Sequence, residues 1–126
     1  MKTQGEIESE VSERMKQFQR EFMGRGPSDV HTHLVGGMLV VRMMGVMTPA
    51  EQQLVVTPPV VEGRALLKRV RHHLIETARA TFGEMVGAIA GVGLVSLHHD
   101  ISTVTGEEVV VFTLAEQPVF REGKRR

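Results

Sequence analysis

Two apolar runs, 30–35 and 38–46, meet at Gly36-Gly37. A Gly-Gly pair supplies the positive φ angles of a tight two-residue turn, so the runs read as paired strands. Alternation puts Val30, Thr32 and Leu34 on one face of the first strand and His31, His33 and Val35 on the other. On the second strand, Leu39, Val41 and Met43 oppose Val40, Arg42 and Met44. Both faces are largely apolar, and apolar surface needs cover. Helices are expected on one face and a second subunit on the other, which makes a homodimer the expected state. The alternative is a monomer whose N-terminal helix covers the second face. A second hairpin, 93–102 and 107–114, turns at Thr105-Gly106. Its Val95, Leu97, His99 and Ile101 share one side, and Ser96, His98, Asp100 and Ser102 the other.

Helical patterns frame these hairpins. Ile7, Val11, Met15, Phe18 and Phe22 form a stripe within a helix expected over 4–23, stopped by Gly24, Gly26 and Pro27. Thr48-Pro49-Ala50-Glu51 has the form of a capping box with proline at the first helical position. The short helix that it starts ends before Thr57-Pro58-Pro59. A long helix is expected over 60–90, buried along Leu67, Val70, Leu74, Ala78, Phe82, Met85 and Ile89. The resulting order is α-β-β-α-α-β-β. The expected fold class is α+β, a four-stranded, mainly antiparallel sheet packed on the long helix. Residues 1–117 form one domain in this reading, and 118–126 a polar, flexible tail ending in Lys124, Arg125 and Arg126.

Composition narrows the function classes. Fifteen basic and fifteen acidic residues cancel, so no overall field favours nucleic acid or anionic lipid. A net charge near zero also removes a usual brake on self-association. The chain has no Cys, which excludes disulfides, thiolate metal sites and a cysteine nucleophile. It has no Trp or Tyr, so stacking platforms for single strands are poorly supplied. The N-terminus lacks a secretory apolar segment, and no apolar run is long enough for a membrane span. A cytoplasmic protein with no direct membrane insertion and no nucleic-acid partner is expected.

Four candidate sites stand out. His31 and His33 project from one strand, and His98 and Asp100 from another. If those strands were neighbours, four donors would converge at spacing suited to zinc, making a metal sensor or enzyme the alternative reading. Solvated or interfacial histidines are the plainer reading. His72 and His73 point in different helical directions and cannot chelate together. Arg64, Lys68 and Arg71, with Arg69 nearby, form a basic stripe able to hold an anion or an acidic partner; a solvated face balanced by Glu62 and Glu76 is the plainer account. Arg25, in Gly24-Arg25-Gly26-Pro27, could anchor an anion, although the loop lacks the lysine and context of a nucleotide cradle. Asp100 would need a partner if buried, and Arg42 is its natural one if the hairpins adjoin. A catalytic set would need a second positioned acid, base or nucleophile, and none is identifiable.

The ordered set Met23-Gly24-Arg25-Gly26-Pro27, Gly45-Val46-Met47-Thr48-Pro49-Ala50-Glu51, Glu62-Gly63-Arg64, Asp100-Ile101-Ser102-Thr103 and Val111-Phe112-Thr113-Leu114 resembles the bacterial MpsC-like family. The resemblance runs from about residue 5 to residue 114. It implies an accessory or regulatory role near a Na+-translocating, membrane-potential-generating system, and some relatives sit beside inorganic-carbon uptake subunits. It brings no catalytic residues and no cofactor. The six histidines are not hallmarks of the family. The combined expectation is a non-enzymatic protein acting by protein contacts, with membrane transport subunits as partners and an anionic ligand held by Arg25, Arg42, Arg64, Arg69 and Asp100. A purely structural oligomerisation module is the remaining alternative.

Overall fold

A computed structural model describes residues 1–122 of the chain. Helix α1 spans Gln4–Phe18 and runs straight into a π turn, Gln19–Met23. Strands β1 (Asp29–Val35) and β2 (Met38–Met44) follow, then helices α2 (Pro49–Val56), α3 (Val60–Thr77) and α4 (Arg79–Ala90), and strands β3 (Leu94–Ile101) and β4 (Glu108–Leu114). The four strands form one antiparallel sheet in the order β1-β2-β4-β3. The α+β class and the element order agree with the sequence reading.

Local chemistry explains where the elements begin. Thr3 caps α1 and Thr48 caps α2, each closing a reciprocal capping box, with Glu6 and Glu51 respectively. Inward-facing side chains then assemble the core: Leu34 of β1, Leu39, Val41 and Met43 of β2, Leu97 and Ile101 of β3, and Val110, Phe112 and Leu114 of β4. Against them pack Ile7, Val11 and Met15 of α1 and Phe82, Met85, Val86 and Ile89 of α4. The rings of Phe18, Phe82 and Phe112 run from helix to sheet with centroids 4.7 and 5.3 Å apart. All the helices that touch the sheet therefore cover one face.

Four departures from the expected pattern are seen. The single long helix is two, broken at Ala78, where ψ is 7°. Thr77 Oγ1 donates to the Leu74 carbonyl at 2.8 Å beside the break, a local bond of the kind that competes with the helical ladder. On α3 the buried row is Gly63, Leu67, Arg71 and Ile75, so Val70 faces solvent and an arginine takes a core position. At the end of α1, the wider π turn shifts the helical phase. Gln19 is thereby buried and Phe22, expected on the apolar stripe, is 52% exposed. On β3, a register shift between Leu94 and Ser96 turns Val95 outward.

The described part of the expected tail is docked. Arg121 N–H donates to the Lys2 carbonyl at 2.9 Å, its side chain reaches Glu6 at 3.3 Å, and Phe120 packs on the core. Lys124, Arg125 and Arg126 lie outside the described residues.

Glycine is required where α2 and α3 meet. A Cβ at Gly63 would collide with the Leu54 carbonyl, a backbone atom that cannot rotate away. Alanine favours a helix over glycine by about 1 kcal/mol, and overpacking a tight contact costs about 1–3 kcal/mol. The variant Gly63→Ala should therefore be less stable than the native chain in urea unfolding. A raised denaturation midpoint would show that the two helices do not meet at this glycine.

Candidate functional site

The rule that charged side chains avoid the core fails at one place. Arg71, on the inward row of α3, is fully buried, and so is Glu108, on the inward row of β4 with Val110, Phe112 and Leu114. Arg71 Nη1 donates to Glu108 Oε2 at 3.0 Å. Its Nε and Nη2 donate to the two oxygens of Glu51 at 2.9 and 2.8 Å, a bidentate fork, and Nη2 also reaches the Val46 carbonyl at 2.8 Å. Glu51 acts twice, since its Oε1 also accepts from the Thr48 N–H at 2.9 Å in the capping box. Gln19, brought inward by the π turn, donates to Glu108 Oε1. His99 completes the cluster, with Nε2 donating to Glu108 Oε2 at 2.8 Å. A carboxylate only accepts, so this bond fixes the Nε2–H. His99 Nδ1 is buried without a partner among the described residues, and the His72 ring lies 6.4 Å away, centroid to centroid.

Electrostatics follow from this geometry. Burial pushes the Glu108 carboxyl up, but the His99 hydrogen bond and the Arg71 charge overcome it and hold the group below the usual carboxylate range. Burial likewise works against the Arg71 guanidinium, and the bonds to Glu51 and the charges of Glu108 and Glu51 outweigh it, raising its pKa. Both groups thus stay ionised. Every oxygen of Glu108 is engaged, so the cluster clamps the π turn, α2, α3, β3 and β4 to one another. Sequence reasoning placed Arg71 on a solvated stripe, read Glu51 only as a cap, and did not single out Gln19 or Glu108. One signal was available: an arginine and a glutamate, each in an otherwise apolar row, need each other.

The expected zinc ligands do not converge. His31 and His33 stand on β1 and His98 and Asp100 on β3, the two outer strands, with β2 and β4 between them. Among the described residues no group of three or more His, Asp or Glu side chains is placed to hold a metal ion. The expected Arg42–Asp100 pair is not formed either. The hairpins do adjoin, but through β2 and β4, so both residues flank Val109 from opposite sides. Arg42 instead binds Glu107 at 2.8 Å, and Asp100 binds Lys68 at 3.0 Å. The Lys68 hydrogen bond lowers the Asp100 pKa, against a smaller opposing effect of burial. Asp100 and Lys68 border a shallow cleft of about 450 Å³ beside Ser102, Thr103 and Glu107.

The other anion-ligand candidates are also dispersed. Arg25 donates to the Met47 carbonyl at 3.2 Å, while Arg64 and Arg69 are exposed on α3 and make no side-chain hydrogen bond or ion pair among the described residues. No bond joins any two of Arg25, Arg42, Arg64, Arg69 and Asp100. A separate groove of about 380 Å³ opens where the π turn faces the α3–α4 break, floored by Phe18, Phe82 and Met85 and rimmed by Arg14 and Glu21.

Removing one partner from a buried ion pair costs about 3–5 kcal/mol, because the other charge stays unpaired. Arg71→Met should lose stability on that scale, and adding Glu108→Gln should recover more than half of the loss. The check is a double-mutant cycle by urea unfolding. Strictly additive losses would mean that Arg71 and Glu108 are not coupled.

Over 113 residues the chain is 35% identical to the uncharacterised protein YbcI of Bacillus subtilis (strain 168), covering 90% of this chain and 89% of that protein. It is 30% identical over 104 residues to the uncharacterised protein YrhF of the same organism, covering 82% and 83%. No solved structure matches it. The family model described as Na+-translocating membrane potential-generating system (MpsC) matches residues 3–116. The capped, glycine-punctuated segments and the charged clamp that they assemble are thus borne by a member of the MpsC family.

Proposed function

We propose that the chain is a non-enzymatic accessory or regulatory protein of a bacterial membrane system for ion or inorganic-carbon transport. It acts from the cytoplasmic side through protein contacts. The family label supports the link to a membrane-potential system. Among the described residues no helix is long and apolar enough to cross a membrane, so contact with such a system would be made by docking. The buried carboxylate of Glu108 is saturated by Gln19, Arg71 and His99, which supports a structural use of that cluster.

One observation carries the reading. The outer face of α3 exposes Leu66 and Val70, 45% and 43% accessible, around a shallow depression shared with Arg69 and His73. Because Arg71 has turned inward, Val70, which sequence periodicity would bury, stands outside beside Leu66. An apolar strip beside an exposed guanidinium suits a partner segment that carries apolar anchors and a carboxylate. Arg69 in this account recognises a partner's acidic side chain, and a small anion is a simpler occupant of the same charge.

In a strain lacking the protein, Na+-dependent membrane potential read with a voltage-sensitive dye should be altered and restored by the native gene. A gene carrying Arg69→Glu and Val70→Asp should fail to restore it, with the purified variant unfolding at the native midpoint. Full restoration by that variant would remove the α3 face as the contact surface.

A further inference from the structure

The second face of the sheet has no helix over it, and its side chains form three continuous rows across all four strands. The first row is His31, Arg42, Val109 and Asp100; the second is His33, Val40, Val111 and His98; the third is Val35, Met38, Thr113 and Ser96. The middle strands β2 and β4 contribute the apolar centre, Met38, Val40, Val109 and Val111, and Val35 beside them is 58% exposed. Charge is divided between the halves. The β1–β2 half carries His31, His33 and Arg42, with Asp29 bonded to His31; the β3–β4 half carries Asp100 and Glu107, with His98 and the Lys68 that pairs Asp100.

We infer that two copies of this chain stack these open faces about a two-fold axis parallel to the strands. This rests on the reading of the protein as one that works through contacts, and it names the occupant of a second surface. Packed sheets keep their strand directions within about 30° of each other, which leaves two ways to arrange a two-fold axis in the plane between them. An axis along the strands keeps each row facing its own row and sets β1 over β3 and β2 over β4. His31 then stands over the second copy's Asp100, Val40 over its Val111, and Met38 over its Thr113. His31 thereby meets a carboxylate of the second copy, and the contact is self-complementary as a two-fold interface requires.

An axis across the strands exchanges the first and third rows. His31 would then face Val35 and Asp100 would face Ser96, so neither would meet an opposite charge, while Arg42 meets an apolar side chain about either axis. The strand-parallel axis wins on this count. Four strands about 4.8 Å apart and seven residues at about 3.3 Å each give a footprint of roughly 450 Å² per copy. Doubled, that is close to the minimum of about 1,000 Å² for a specific interface. Val40 and Val111, at the centre of the face, are its anchors.

The absence of native cysteine makes the geometry directly readable. Two variants are prepared, His33→Cys and His98→Cys, both at exposed positions of the outer strands. Each is treated alone, then in an equimolar mixture, with a short thiol-reactive bifunctional cross-linker. The mixture should give a covalent dimer, because residue 33 of one copy lies over residue 98 of the other, while each variant alone stays monomeric on a denaturing gel. Self-linking of either variant alone would place the axis across the strands and overturn the arrangement. Absence of linking in the mixture, with the native chain sedimenting as a monomer at the highest soluble concentration, would overturn self-pairing altogether. In that case loss of membrane-potential restoration by the α3 variant would still stand on its own, so the two readings fail separately.

Discussion

The structure turns on one buried ion pair, Arg71 with Glu108, and on the side chains that make its burial tolerable. Two ions removed from water cost several kcal/mol each unless their remaining donors and acceptors are satisfied. Here the guanidinium meets Glu108, both oxygens of Glu51 and the Val46 carbonyl, while Glu108 also receives Gln19 and His99. Each partner comes from a different element, so the pair can be satisfied only when those elements are all in place. The π turn is part of this requirement, because it is what brings Gln19 inward. The family-like segment Thr48-Pro49-Ala50-Glu51 gains a second role by the same route: the carboxylate that caps α2 also holds Arg71.

Much of the fold was legible because local chemistry and periodicity agree there. The glycine turn at 36–37, the Thr48–Glu51 capping box and the alternation of β1 and β2 lead to elements that exist. The clamp was not legible, since reading a helix by its apolar residues alone moved the inward row of α3 onto Val70 and Leu74. Allowing an arginine into the row gives Gly63, Leu67, Arg71 and Ile75, a strict four-residue repeat. The same exclusion hid Glu108 at the head of an alternating strand. Strand order was beyond the pattern entirely. The zinc reading depended on β1 and β3 being neighbours, which the β1-β2-β4-β3 order denies; the hairpins do adjoin, but Val109 of β4 stands between Arg42 and Asp100. Among the anion-site candidates, Arg64 and Arg69 remain exposed on α3, whereas Arg25, Arg42 and Asp100 are engaged with neighbours.

These facts connect the interior to the surface. Turning Arg71 inward turns Leu66 and Val70 outward, which creates the apolar and cationic strip on α3. Gathering α1 and α4, with the edge of α3, on one side of the sheet leaves the other side with an apolar centre and polar outer strands. The proposed role in protein contacts rests on these two surfaces.

The account stands or falls on whether the charged clamp joins its elements into one cooperative unit. Native-state amide hydrogen exchange followed in low urea measures this residue by residue. Protected amides in the π turn, in α2 and at the start of β4 should open with the same free energy and urea dependence as those of β2, in a single global event. Exchange of α2 and the π turn through a separate, low-energy opening, with β2 and β4 still protected, would contradict it.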